Sequence, residues 1–288
     1  MKHIVAGLML IFFFTVSTSE TSGQGNVVFG IRAGLNYSTF LGPETQEEKH
    51  GISNGFHFGI DVGYQISDLV YLRGEILYLQ KGSTYNFSGE SYYIFNTPDN
   101  NRFILQDSSQ IKLDISNAYI SFPFTIHVSA LEKWEFHGGA YVSFLISPIG
   151  AGTWTFGSRD AVNYQFKQGL NYDYDGDRPA QSSPFAEQIL LLVDDQVVGV
   201  PSLVGAYYLL QEERGSLINK IDFGLTAGVS YYLNRGLYVG LKGWYGLRDV
   251  TNNAVDYSYR ALEPDGSFIF SDDFDRNLNI DISLGFKF

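Results

Sequence analysis

The chain has 288 residues, no cysteine, and 31 acidic against 19 basic side chains, for a net charge of −12. That excludes a disulfide framework and works against a nucleic-acid partner, which needs a basic surface. Aromatic residues make up 16 %, with 23 Phe, 20 Tyr, 31 Gly and only 8 Pro, a composition of strands and tight turns.

The first segment, MKHIVAGLMLIFFFTVSTSETSGQG, places Lys2 ahead of an apolar run from Ile4 to Val16 and follows it with small polar residues. It predicts a secretory signal peptide over 1–24, cut between Ser19 and Gly25, which leaves 25–288 as one large β domain. The run is too short for a bilayer, and no later stretch offers about eighteen consecutive apolar residues, so no transmembrane helix is expected.

From there the sequence alternates. Period-two patterning predicts eight strands over 27–39, 56–66, 70–81, 118–128, 134–146, 221–232, 237–248 and 278–288. Each has an apolar face, such as Phe56, Phe58, Ile60, Val62, Tyr64 and Ile66, and none of these faces holds Asp, Glu, Lys or Arg. The opposite faces mix long charges (Arg32, Arg73, Glu75, Lys81, Lys242, Arg248) with glycines such as Gly30, Gly34, Gly59, Gly63, Gly224 and Gly228. A soluble barrel or sandwich would turn the apolar face inward and charge its outer face broadly. Charges interleaved with glycines suit a narrow lumen, in which a long side chain lies opposite a missing one. The predicted fold is therefore all-β: a transmembrane antiparallel up-and-down β-barrel of eight strands with its apolar face in lipid.

The connections agree. SDL, SALEK and NRG are tight links, whereas 41–55, 82–117, 147–220 and 249–277 are long, the asymmetry of short periplasmic turns and long extracellular loops in a Gram-negative outer membrane. The chain closes on NLNIDISLGFKF, residues 277–288, a strict alternation ending in Phe288. Such a strand is expected to close the barrel against the first, with Phe288 at the periplasmic interface.

FGIRAGLNYSTF (29–40), GEILYLQKG (74–82), IDFGLTAGVSYYLNRGLYVGLKGWYGLRDVTN (221–252) and the closing strand resemble the PorT-like family of outer-membrane β-barrels. YISFPFTI (119–126) matches less well: that family usually carries an acidic residue before the proline segment, where this chain has Ser121 and Phe122. The resemblance covers nearly all of the mature chain except 148–218. It implies fold and location, the cell outer membrane, and it implies a secretion-associated role only through the member that gave the family its name.

The lumen-facing charges nearly balance, with Arg32, Arg73, Lys81, Lys242, Arg248 and Lys287 against Asp61, Glu75, Glu135, Asp222 and Asp281. The excess acid lies in the loops: nine acids and four bases over 148–218, seven acids and two bases over 249–276. An acidic outer rim repels nucleic acid and favours divalent cations, basic partners, and a place among lipid and lipopolysaccharide with its bridging ions.

Chemistry is sparse. Asp173, Asp175 and Asp177 have calcium-like spacing, but Arg178 and Pro184 stand where an EF-hand needs Gly and Glu, so an ordinary acidic loop is expected. His127 and His137, with Glu135 between them, could ligate a metal, although a polar lumen network is the simpler expectation. His50 is the one histidine in a long loop, and the adjoining GISNG (51–55) has no nucleophile spacing. No catalytic, cofactor or metal residue is assigned, and an enzyme is not expected.

Segment 148–218 reads as a long loop insertion. Its stretch 185–210 is too apolar for disorder and predicts a short helix with a further helix or strand, packed over the outer mouth or folded into the lumen, or two more membrane strands in a ten-stranded barrel. Three roles remain: an interaction scaffold of the envelope, a small pore or uptake channel, and a rim-site enzyme. The scaffold leads, because a crowded, charge-balanced lumen leaves little path for solutes.

Overall fold

The computed structural model describes residues 26–96, 102–157, 164–193 and 196–288; the segment 1–24 assigned to a signal peptide lies outside them. Its strands are β1 (Val27–Leu41), β2 (Glu48–Gly51), β3 (Ser53–Gln65), β4 (Val70–Asn96), β5 (Arg102–Leu131), β6 (Trp134–Phe156), β7 (Phe166–Asp173), β8 (Gln188–Val193), β9 (Gln196–Pro201), β10 (Leu203–Val204), β11 (Ile221–Tyr232), β12 (Leu237–Gly246), β13 (Tyr257–Leu262), β14 (Phe268–Phe270) and β15 (Arg276–Lys287).

Eight of them form a closed ring. In the order β1, β3, β4, β5, β6, β11, β12, β15, each pairs antiparallel with the next, and β15 pairs back onto β1. The closure runs to the last residue, where the Phe288 N–H donates to the Phe29 carbonyl at 2.8 Å. The faces point as a membrane barrel requires. Ile31, Leu35, Phe58, Ile60, Phe124, Leu225 and Ile282 are exposed on the outside, whereas Arg32, Asp61, Arg73, Glu75 and Lys242 are buried within. No water-soluble fold would make this exchange, because it places the apolar area where only lipid can cover it.

The inward glycines make room for these side chains. A Cβ on Gly30 would stand 2.5 Å from Asp61 Oδ2, and one on Gly228 would stand 2.6 Å from His137 Nε2. Arg248, expected in the lumen, instead lies beyond the end of β12 and is half-buried at the rim.

Several expected loops are strand. β4, β5 and β6 run for 27, 30 and 23 residues, far more than the roughly 9–11 that a tilted strand needs to cross a bilayer. Within the link 82–117, residues 82–96 and 102–117 thus prolong β4 and β5, and the first residues of 148–218 continue β6. A bulge at the level of Ala118–Tyr119 leaves Ile146 as the extra residue on β6 and reverses its phase, so that Trp154 and Phe156 turn inward. β7 adds to β6 only over Ile149–Phe156, above the lipid-facing belt, and β10 adds to β7 in parallel. The ten-stranded alternative is therefore wrong: the ring has eight strands. The helix considered for 185–210 is also absent among the described residues, where β8 and β9 form a separate two-stranded hairpin.

These extensions, with β7 and the β13–β14 hairpin, form a cap at the end opposite the termini. Its core holds Phe87, Tyr93, Phe95, Ile111, Leu113, Trp154, Phe156, Phe166 and Tyr172, and it is the larger of the two apolar cores.

Candidate functional site

Two polar regions could carry function: the lumen and the cap. In the lumen, charges from separate strands meet as pairs. Lys242 Nζ lies 2.7 Å from Glu75 Oε1, Lys81 Nζ 2.5 Å from Asp222 Oδ2, and Arg73 Nε 3.2 Å from Asp61 Oδ1. Arg32 Nε stands 2.8 Å from Glu75 Oε2, close enough for an ion pair but off the hydrogen-bond direction, and Arg32 Nη1 is 3.6 Å from Asp281 Oδ1. The Trp244 indole N–H donates to Asp281 Oδ2 at 2.7 Å. Between the Glu75–Lys242 and Lys81–Asp222 pairs, Leu77, Leu79, Tyr141 and Trp244 form an apolar layer across the bore. Buried charges need such partners, and here every lumen acid has one.

The histidine group expected near the termini is part of this network. His127 Nδ1 meets Glu135 Oε1 at 2.7 Å, and its Nε2 meets Thr125 Oγ1 at 2.7 Å. The Tyr232 hydroxyl donates to Glu135 Oε2 at 2.8 Å. His137 stacks on His127 at 4.6 Å and 17°, with both of its ring nitrogens free of hydrogen bonds. The ligand atoms of His127, Glu135 and His137 do lie within 4.8 Å of one another. However, both His127 nitrogens are engaged, and the Arg73 guanidinium lies 3.9 Å from Glu135 Oε1, where it already supplies a positive charge.

The other sequence candidates disperse. Asp173 Oδ1 accepts from the Asp175 and Gly176 N–H groups, and Asp177 Oδ2 from the Asp173 and Ala206 N–H groups, so these carboxylates hold a turn. Ser53 of GISNG donates to Asp114 at 2.8 Å, while His50 Nδ1 meets Ser83 Oγ at 3.3 Å. His50 and Ser53 do not form a dyad.

The cap supplies what the sequence reading missed. A cavity of about 100 Å³ is lined by Tyr85 from β4, Tyr172 and Tyr174 from the end of β7, Tyr257 and Tyr259 from β13, and the carboxylates of Glu48, Asp256, Asp273 and Asp275. The rings pack on one another, with Tyr257–Tyr259 at 5.3 Å, Tyr85–Tyr259 at 6.2 Å and Tyr172–Tyr174 at 5.7 Å. Tyr174 Oη is buried without a hydrogen-bond partner.

The Asp256, Asp273 and Asp275 ligand atoms all lie within 4.8 Å of one another. Asp275 is fixed by its own N–H to Asp249 Oδ1 at 3.0 Å and by the Thr251 hydroxyl at 3.2 Å. Burial, then the neighbouring Asp273 and Asp275 charges, push Asp256 up to about 8. Burial and Asp273 raise Asp275 to about 6. Burial lowers His50 below its ordinary value, against the opposing pull of Glu44 and Asp273. The acid density of 249–276 was legible in sequence. Its meeting with tyrosines from β4 and β7 was not, because those residues lie far away along the chain.

The sequence profile of the family described as "Outer membrane protein beta-barrel domain" matches residues 19–252. Among solved structures, the chain is similar to Neisserial surface protein A (NspA), with 12 % identity, 90 % of this chain and 97 % of that one covered, and a TM-score of 0.36. It is similar to OprG from Pseudomonas aeruginosa, with 10 % identity, 92 % and 98 % covered, and a TM-score of 0.36. It is also similar to Ail, the attachment invasion locus protein of Yersinia pestis, with 9 % identity, 92 % and 100 % covered, and a TM-score of 0.35. Among curated proteins, none matches the chain in sequence.

Proposed function

Because the chain belongs to the outer membrane protein β-barrel domain family and resides in the outer membrane, we propose that it acts there as a non-enzymatic interaction scaffold of the PorT-like type. The observation that carries this reading is the filled lumen: ion pairs and an apolar layer occupy the bore that a channel would need open. The barrel is then an anchor, and the cap is the part that meets other molecules. Phe185, Leu190 and Val197 project from the β8–β9 region at 89 %, 71 % and 70 % exposure, an apolar surface suited to an envelope protein partner. The surrounding acid suits lipopolysaccharide and its divalent cations, and a place in a secretion assembly would be one such partnership.

Mild solubilisation of native membranes followed by copurification tests the proposal. An envelope protein recovered in fixed ratio is expected, and its loss on Leu190→Asp with Val197→Asp would place the contact on the hairpin. Steady, reproducible currents from the pure protein in planar bilayers would overturn the scaffold in favour of a channel.

A further inference from the structure

The lumen and the cap treat their acids in opposite ways. Each lumen carboxylate has a Lys, Arg or His partner, whereas among the described residues no Lys or Arg lies within ion-pair distance of Glu48, Asp256, Asp273 or Asp275. The aromatic rings repeat the contrast. Lys81, Lys242, Arg73 and Lys287 lie over rings inside the barrel, and among the described residues no cation lies over Tyr85, Tyr172, Tyr174, Tyr257 or Tyr259. A cavity with tyrosine walls and an acidic end lacks only the positive charge that both would attract.

Two further observations point to a ligand rather than to a bare acidic patch. Tyr174, 2 % exposed, lines this cavity, and among the described residues its hydroxyl has no hydrogen-bond partner; that hydroxyl lies beside Leu113 and Tyr172, which line the cavity too. A buried hydroxyl is normally satisfied, so the missing partner belongs in the space beside it. That space, about 100 Å³, is several times what one water needs and more than a bare ion fills. Glu48 and Asp273 are only half-buried, so the acidic end opens to the outside.

We propose that the cap cavity binds a small organic cation: an ammonium group held by Asp256, Asp273 and Asp275, on a short apolar stem lying among the tyrosines. The inference rests on the reading of the cap as the functional part of the molecule. Asp256 is faced by Glu48, Asp249, Asp273 and Asp275, with His50 beside Asp273. Binding should therefore strengthen as these acids ionise.

The test uses the full chain in detergent, titrated calorimetrically with n-butylammonium, with n-butanol as its uncharged counterpart, and with calcium chloride. Saturable binding of butylammonium is expected, weaker by at least about tenfold for butanol, for Asp256→Asn and for wild type at pH 5 rather than pH 9. Should Asp256→Asn fail to fold, Asp273→Asn and the pH pair on wild type give the same readout. No saturable binding at millimolar butylammonium, equal binding of butanol, or insensitivity to both variants and pH would overturn the proposal. Calcium binding without butylammonium binding would also overturn it, by making the aspartates a metal site. Bilayer recordings stay silent in each of these cases, so a failed ligand and a failed scaffold reading are told apart.

Discussion

Lys242 Nζ on β12 reaches Glu75 Oε1 on β4 at 2.7 Å, although the two strands stand opposite one another in the eight-stranded ring. Two side chains meeting end to end thus span the whole bore. At this level the lumen is a charged core, and its energetics are those of buried ion pairs.

Glu75→Ala should strand Lys242 and leave Arg32 only its longer contact to Asp281, both cations being buried and paired with Glu75. The cost of breaking such a group is about 3–5 kcal/mol. A lower unfolding temperature in the heat-modifiability gel assay is expected, with bilayer recordings still silent. A stable variant that conducts would contradict the interlocked lumen.

The lipid face can be tested with neighbouring residues of β3. Ile60 is 54 % exposed on the outside, and Asp61 is buried against Arg73. Ile60→Arg should cost roughly 2–4 kcal/mol near the midplane and impair assembly. Asp61→Asn should still insert, at reduced stability. Equal assembly of the two would argue against the orientation of the faces.

The cap has its own stability. Trp154 is buried against Tyr93 and Tyr259 at ring distances of 5.1 and 5.7 Å and donates Nε1–H to Ser109 Oγ at 3.0 Å. Trp154→Ala should cost the cap about 3–5 kcal/mol. Limited proteolysis is expected to cut within the cap residues 82–96, 102–117, 164–193 or 196–218, while the membrane barrel keeps its unheated gel mobility. Loss of both together would show that cap and barrel fold as one unit.

The aspartates predict a pH dependence. An ordinary Asp titrates near 4, and Asp256 is held up to about 8. Between those values the folded chain keeps a proton that the unfolded chain has lost, so stability falls as pH rises through the window. Asp256→Asn removes this loss. The variant should exceed wild type by about 1–3 kcal/mol at pH 9 and show no gain below about pH 4, measured by chemical unfolding across the range. A gain that is the same at both ends would exclude titration of Asp256 as its cause.

The chain by itself determined that strands alternate, that one face is free of charge, where the short turns fall, and that Arg32, Glu75, Lys242 and Asp281 share the other face. These are properties of neighbours along a strand, which period two displays directly. It could not determine which solvent each face meets. In β5, Phe124 and Ile126 point outward to lipid, while Ile111, Leu113 and Ile115, farther along the same strand, point inward to the cap core. The period is unbroken, but its meaning reverses where the strand leaves the membrane, and only the height of the closed ring fixes that point. On β6 the bulge at Ile146 shifts the phase as well, which hid the extension as a loop. The pairing of Asp256 and Asp275 with Tyr85 and Tyr172 depends on a fold that returns distant segments to one cavity, a relation that no local pattern carries.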